Sequence, residues 1–173
     1  MNIPLIAADP SLADQHASAL TRANAWRGQM LHIFAKAEAA VTEALAGMAA
    51  LPERGIGVRL PHLVGQRFEA LADAMNSGGN FAGEGVAIRP LAMRMKDDLP
   101  LRAALAHGVG RVTIDRAGRW TMILRTTGLK AGQLTSDISV VEERDAETVR
   151  DDLQRTMQQL CDRIAKLTAT LRQ

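Results

Sequence analysis

The sequence contains no tyrosine, and aromatic residues make up only 3% of its 173 residues. The core must therefore be filled by Leu, Ala, Met, Val and Ile, side chains that suit helix-on-helix packing better than a sandwich of sheets. A single cysteine, Cys161, excludes an internal disulfide framework and is typical of a reducing compartment. The length is close to that of one domain, so we expect residues 1–173 to form a single domain.

Long apolar runs are also absent, since no stretch approaches the ~18 uninterrupted apolar residues of a membrane span. The segment Met1–Pro10 lacks a basic region and a long apolar run, which predicts no signal peptide. We therefore expect a cytoplasmic protein without membrane contact. The net charge of +2 is too small to argue for a polyanionic partner. However, 17 of the 21 basic residues are Arg, the side chain better suited to bidentate phosphate contacts, so a nucleic-acid ligand is permitted.

Apolar residues recur at three- and four-residue spacing in two long segments, which predicts two long amphipathic helices. The first helix is expected to begin after Pro10, to bend or break at Gly28, and to end at Pro52. The last helix, capped by Asp145, has its own apolar seam. The stripe of the first helix contains Met30, Phe34, Ala37, Val41, Leu45 and Met48, and the seam of the last contains Leu153, Met157, Leu160, Ile164, Leu167 and Leu171.

Shorter helices are predicted between these two: one after Pro61, one over Val86–Lys96, and one from Pro100 to His107 that ends at Gly108. The apolar period then changes from 3.6 to 2, which predicts a β-hairpin with one buried face, and Ile138 with Val140 could add a third strand. The expected fold is mainly α: an up-and-down bundle of four to five helices. A small hairpin or three-stranded antiparallel sheet is inserted at about 111–142, before the C-terminal helix.

The usual patterns of metal and cofactor sites are absent. The four histidines (His16, His32, His62, His107) are scattered, without metal-ligand spacing, and the single Cys161 is best interpreted as a small buried hydrophobic residue. The Gly-rich stretch 76–85 has no Lys-Ser/Thr pair after its glycines, so it is interpreted as a connector and not a phosphate-binding loop. We therefore expect neither a metal nor a cofactor.

Arg102 and His107 are the residues that can carry chemistry. On a helix they lie at opposite edges of the core-facing side, about 140° apart, and only Ala103 and Ala106 line the surface between them. An imidazole can transfer a proton near neutral pH and a guanidinium can stabilise charge on phosphorus, as RNA cleavage requires. The spacing alone does not identify a catalytic pair, because Arg27 and His32 have the same spacing. A solvated Arg beside a histidine that contacts the last helical carbonyls is the alternative interpretation.

The string from Leu101 to Gly108, Leu-Arg-Ala-Ala-Leu-Ala-His-Gly, resembles the signature of the HEPN superfamily (higher eukaryotes and prokaryotes nucleotide-binding domains). The resemblance extends loosely over the whole chain, with an acidic residue, Glu38, near the middle of a long first helix. It implies a helical bundle that dimerises into a metal-independent ribonuclease, often a toxin or an antiphage protein. His107 would be the acid/base group and Arg102 the stabiliser of the scissile phosphate, leaving a cyclic phosphate. The implied partners are RNA, a second copy and a protein antitoxin or inhibitor.

Two positions depart from the family pattern. Ala103 stands where a polar residue is common, which favours a second hypothesis, a catalytically inactive HEPN-like module that binds RNA, nucleotide or protein. Val109 occupies the position of a tyrosine that is modified in one toxin subgroup, so that mode of control is excluded. A third hypothesis is a helical dimerisation protein in which the Arg/His pair is incidental.

Two further groups of charged residues have alternative interpretations. Four arginines in and near the hairpin either hold an RNA backbone or belong to a solvated outer face; they are Arg111, Arg116, Arg119 and Arg125. Glu38 and Arg67 are expected to form a structural pair between two helices, in preference to a catalytic role.

Overall fold

The structure, a computed structural model, describes residues 10–171. The expectation that no signal peptide is present concerns residues 1–9, which lie outside this range. The helices are α1 (Pro10–Ala49), α2 (Val64–Ala74), α3 (Ala82–Gly85), α4 (Arg89–Asp97), α5 (Leu99–His107) and α6 (Glu143–Leu171). The strands are β1 (Val109–Ile114), β2 (Trp120–Lys130) and β3 (Gln133–Glu142). This confirms the prediction of a mainly α fold with a small antiparallel sheet before the last helix.

Three details of the helices differ from the prediction. Helix α1 is continuous through Gly28, because its buried stripe extends on both sides of this glycine, from Ala19 to Met48, and tertiary packing of that stripe offsets the low helix propensity of one glycine. The helix expected from Val86 begins at Arg89, with Pro90 in its first turn, and the Gly-rich stretch before it contains the four-residue α3. The described residues therefore form six helices, one more than the upper end of the predicted range.

Helix α6 begins at Glu143, two residues before the predicted cap Asp145, and runs parallel to α1. The indole Nε1 of Trp26 donates to the carbonyl oxygen of Ala146, 2.8 Å away, near the start of α6. At the other end, Gly47 and Leu167 line one groove between the two helices. The predicted seam is buried except at Leu171, which is half-buried; the buried residues are Leu153, Met157, Leu160, Ile164 and Leu167.

The sheet has the strand order β1-β2-β3, with antiparallel pairing throughout, so the possible third strand is confirmed. Its inner face buries Met122, Leu124 and Trp120 against α1, and the Trp120 ring lies 5.8 Å from the Trp26 ring between centroids. The turn between β1 and β2 ends at Gly118, whose φ of 73° lies in the left-handed region that favours glycine. The sheet therefore presents one face to α1 and its opposite, outer face to solvent.

Within residues 10–171, none of the helices combines the length and the apolar character needed to cross a membrane.

Candidate functional site

Helix α5 connects the helical part of the chain to the sheet. Ala104 and Leu105 are buried, while Ala103 and His107 are exposed and Arg102 is half-buried at the edge, as the helical pattern predicted. The helix ends where the backbone N–H of Gly108 donates to the carbonyl oxygen of Ala104 at 2.8 Å. Strand β1 then begins at Val109, so α5 is held between the core at one end and the sheet at the other.

The guanidinium of Arg102 is held by Glu38. Its Nε donates to Glu38 Oε1 at 3.0 Å, and the two side chains are 30% and 18% exposed, respectively. The structure gives this guanidinium no other hydrogen-bond partner among the described residues, and no unpartnered side-chain nitrogen there is fully buried, so the terminal amino groups are accessible to solvent. An Arg bound through Nε in this way is oriented by the carboxylate and keeps its terminal N–H groups available for an anion.

The predicted pair between Glu38 and Arg67 is wrong. Arg67 Nη1 donates to Thr42 Oγ1 at 3.1 Å, one helical turn further along α1, and its other nitrogens donate to the carbonyls of Pro61 and His62. The reason is the position of α2, which approaches α1 beyond Glu38 and leaves that carboxylate opposite α5. The sequence showed that Glu38 faced another helix but not which one.

Arg27 is the site residue that the sequence did not reveal. Its Nε donates to the carbonyl oxygen of Leu105 at 2.6 Å, and Nη2 donates to that of Gly108 at 3.1 Å. The last carbonyls of a helix have no partner within it, and a cation there is also favoured by the helix dipole. Arg27 therefore fixes the segment that carries His107, whereas His32, which has the same spacing from Arg27 as His107 has from Arg102, is exposed.

His107 itself is exposed, and the described residues offer it no hydrogen-bond partner. It lies five residues after Arg102, which corresponds to about 140° around the helix and about 7.5 Å along it. The two side chains thus leave α5 on different sides. Five surface cavities in the described part of the chain have linings that include neither Arg102 nor His107.

The four arginines of the hairpin region do not form one cluster. Arg111 and Arg125 lie on the outer face of the sheet, where Arg111 is opposite Ile123 and Arg125 is opposite Val109. Arg119 is at the other end of β2, paired with Asp115 through Nη2 and Oδ2 at 2.7 Å. Arg116 lies in the same turn and lines a shallow cavity with Asp14 and Gln15 of α1. A single RNA-binding patch would have to join these two separate regions.

Neither the Cys161 thiol nor the His, Asp and Glu side chains of the described residues form a nucleophile or a metal site. Cys161 is half-buried, with Sγ 3.7 Å from Met157 Sδ, and burial raises the pKa of its thiol above the ordinary value. The thiol therefore stays protonated at neutral pH, as the interpretation as a small hydrophobic residue predicted, although Cys161 is half-buried and not buried. In the part of the chain that the structure covers, no three His, Cys, Asp or Glu side chains are grouped as metal ligands would be.

Comparison with protein-family models, with curated proteins and with solved structures gave no match to this chain. The resemblance of the α5 sequence to the HEPN signature therefore remains a prediction.

Proposed function

We propose that this protein is a metal-independent endoribonuclease of HEPN type, in which Arg102 and His107 act on the scissile phosphate of an RNA. The observation that supports it best is the state of Arg102: its Nε is fixed by Glu38 while its terminal amino groups have no partner among the described residues. A guanidinium that is oriented but open to solvent is suited to bidentate binding of a phosphate. A cellular setting in toxin action or phage defence follows from the resemblance alone.

The proposed reaction uses the 2′-hydroxyl of the RNA as nucleophile. A neutral His107 imidazole accepts the hydroxyl proton while the oxygen bonds to phosphorus. The bond from phosphorus to the 5′-oxygen breaks, that oxygen takes a proton from water, and His107 then releases to water the proton that it accepted. The products are a 2′,3′-cyclic phosphate and a 5′-hydroxyl. Arg102 stabilises the additional negative charge on the phosphoryl oxygens.

The site needs two copies of the chain. In one copy the Arg102 and His107 side chains leave α5 about 140° apart, so they diverge from a common phosphate. Ala103 is exposed between them and has only a methyl group, which allows the backbone of another α5 to approach closely. A two-fold dimer through this surface brings Arg102 of one copy near His107 of the other.

A catalytically inactive module that binds RNA, nucleotide or protein is the second candidate. Two observations favour it. Ala103 provides no polar group next to Arg102, and the carboxylate of Glu38 already neutralises part of the charge that would stabilise a transition state. This candidate keeps phosphate binding at Arg102 but has no turnover.

Cleavage of an end-labelled structured RNA in EDTA tests the proposal. Wild type, His107→Ala and His32→Ala are purified in parallel; the last is the control, because His32 is also exposed and lies on α1. We expect wild type and His32→Ala to produce cyclic-phosphate ends, and His107→Ala to cleave at least about 100-fold more slowly. Equal cleavage by all three indicates a contaminant and contradicts the proposal. If none cleaves but wild type binds the RNA and Arg102→Ala does not, the second candidate is correct.

A further inference from the structure

The outer face of the sheet is a feature that the proposed ribonuclease chemistry does not use. We define it as the side opposite α1, formed by alternate residues from Val109 on β1, Ile123 on β2 and Val140 on β3. We propose that this outer face binds an amphipathic helix of a partner protein, and that this helix carries acidic side chains beside its apolar stripe. The proposal is independent of whether the protein cleaves RNA.

The outer face is unusually apolar for a surface in contact with water. Five large aliphatic residues on it are between 58 and 78% exposed, and Ile123 is half-buried among them. An antiparallel sheet that covers a core on one side normally has polar residues on the other, whereas this sheet is apolar on both. Clusters of exposed apolar residues rimmed by polar ones mark interaction sites. The five residues are Val109, Leu129, Leu134, Ile138 and Val140.

The charges on the outer face that have no ion pair among the described residues are all positive. Arg125 lies between Val109 and Ile138 in the ladder, and Arg111 lies opposite Ile123; both arginines are exposed, with no ion pair among the described residues. The one carboxylate on this face, Glu142, is at its end and is paired with Arg144, Nε to Oε2 at 2.8 Å. A partner that covers the apolar residues must also neutralise Arg125, so it needs carboxylates next to its apolar side chains.

The dimensions of the face fit one α-helix. Along the six residues of β1 the three strands, at about 4.8 Å spacing, span about 10 Å between the outer two, which matches the diameter of a helix with its side chains; beyond β1 only β2 and β3 continue. Ten-residue β3 is about 33 Å long, the length of a helix of about 22 residues. Helix α1 already packs on the inner face, so a second helix would complete a three-layer arrangement that buries both faces of the sheet.

Two other occupants are less compatible with these residues. A second copy docked by the same face would place Arg125 near the cations of its mate, without a free carboxylate between them. RNA would find no aromatic side chain for stacking, because Trp120 points inward and the outer residues of the three strands are aliphatic or polar.

A pair of synthetic peptides tests the charge and the apolar requirement together. Each is a helix of about 22 residues with Leu on one stripe; the remaining positions are Glu in one peptide and Lys in the other. Binding of the labelled peptides is followed by fluorescence anisotropy. We expect the Glu peptide to bind wild type, and Arg125→Glu to weaken it about tenfold or more. The Lys peptide should show the reverse preference, with Arg125→Glu binding it more tightly than wild type does.

Two further variants complete the test. Arg116→Glu makes the same charge change in the turn, away from the outer face, and should alter binding of the Glu peptide less than about twofold. The double variant Ile138→Thr/Val140→Thr keeps the β-branched shape and should lose binding about tenfold, while its midpoint of urea unfolding stays close to that of wild type.

Three results overturn the proposal. The first is equal binding of both peptides by wild type, or equal effects of Arg125→Glu and Arg116→Glu. The second is that wild type is a dimer in sedimentation equilibrium whereas the Ile138→Thr/Val140→Thr variant is a monomer. In that case a second copy of the chain covers the outer face. The third is that wild type binds a single-stranded oligouridylate but not the Glu peptide, and that Arg125→Glu abolishes the binding of the oligouridylate. In that case the outer face is a nucleic-acid surface.

Discussion

At the scale of single residues, Glu38 and Arg27 determine how α5 presents its functional groups. Both lie on α1, eleven positions apart and therefore on nearly the same side of that helix. Glu38 binds the side chain of Arg102, and Arg27 binds carbonyls on either side of His107. The orientation of both proposed catalytic residues thus depends on α1, although neither of them belongs to it.

Glu38→Gln tests the contribution of the ion pair to stability. The variant keeps an oxygen acceptor for Arg102 but loses the negative charge in a partly buried position, so we expect the free energy of unfolding to fall by about 1 kcal/mol. Urea unfolding at neutral pH measures the change. Asp152→Asn is the matched control, because its pair with Arg155 is well exposed and should contribute about 0 to 0.5 kcal/mol. If both variants change stability equally, the Glu38–Arg102 pair is no more than an ordinary surface pair.

Arg27→Ala should destabilise the protein by about 2 kcal/mol, because two helix-terminal carbonyls lose a charged hydrogen-bond donor. Arg27→Lys can restore only one of the two bonds and should have an intermediate effect. Urea unfolding gives the energies, and the NMR resonances of the His107 ring should shift in Arg27→Ala because the end of α5 moves. Unchanged His107 resonances together with a stability loss would mean that Arg27 supports the fold without positioning the histidine.

At the scale of elements, the junction of α1, β2 and α6 is organised by the first residue of α6. Glu143 accepts a hydrogen bond from Arg22 Nε at 2.8 Å and another from the backbone N–H of Trp120 at 3.0 Å. The bond from the Arg22 side chain, followed by that from the Trp120 N–H, lowers the pKa of Glu143 from its ordinary value of 4.5. The predicted cap, Asp145, is two residues further on, because a capping pattern in the sequence cannot show a partner contributed by another element.

This lowered pKa predicts how stability depends on pH. Since the folded pKa is below the unfolded one, the contribution of Glu143 is fully present above about pH 4.5 and is lost as the pH falls through the folded value. Wild type should therefore lose more free energy of unfolding between pH 5 and pH 3 than Glu143→Gln does. Urea unfolding at stepped pH measures both. Glu147→Gln changes an exposed neighbour on α6 and should show the same dependence of the free energy of unfolding on pH as wild type. If Glu143→Gln also shows the wild-type dependence, the junction does not depend on the ionised carboxylate.

The patterns within each element predicted most of the fold. The apolar stripe of α1 and the seam of α6 up to Leu167 are buried as expected, and the sheet begins at Val109, two residues before the predicted start of the hairpin at about 111. Contacts between elements were harder to predict, because spacing along one helix does not specify which turn of another helix lies opposite. Glu38 therefore pairs with Arg102 and not with Arg67, and the role of Arg27 became visible only with the end of α5 in place.

At the scale of the whole molecule, α1 connects all parts of the structure: it packs on α6, α2 and α5, and against the inner face of the sheet. One continuous core follows from this arrangement, with buried residues from the two long helices, the short helices and the sheet. Two surfaces are left for other molecules, namely the exposed side of α5 and the outer face of the sheet. The first is proposed to meet a second copy and an RNA, the second a helix of a different protein.

The central claim is that Arg102 and His107 from different copies act on one phosphate, and co-expression of two inactive variants tests it most directly. Arg102→Ala and His107→Ala are each expected to lack RNA cleavage in EDTA. When the two are combined, half of the dimers are mixed, and each mixed dimer retains one intact pair made from both copies. We predict that cleavage then recovers to about a quarter of the wild-type level. If wild type cleaves the RNA but the combined variants remain as inactive as either one alone, the two residues do not act across the dimer and the proposed site is wrong.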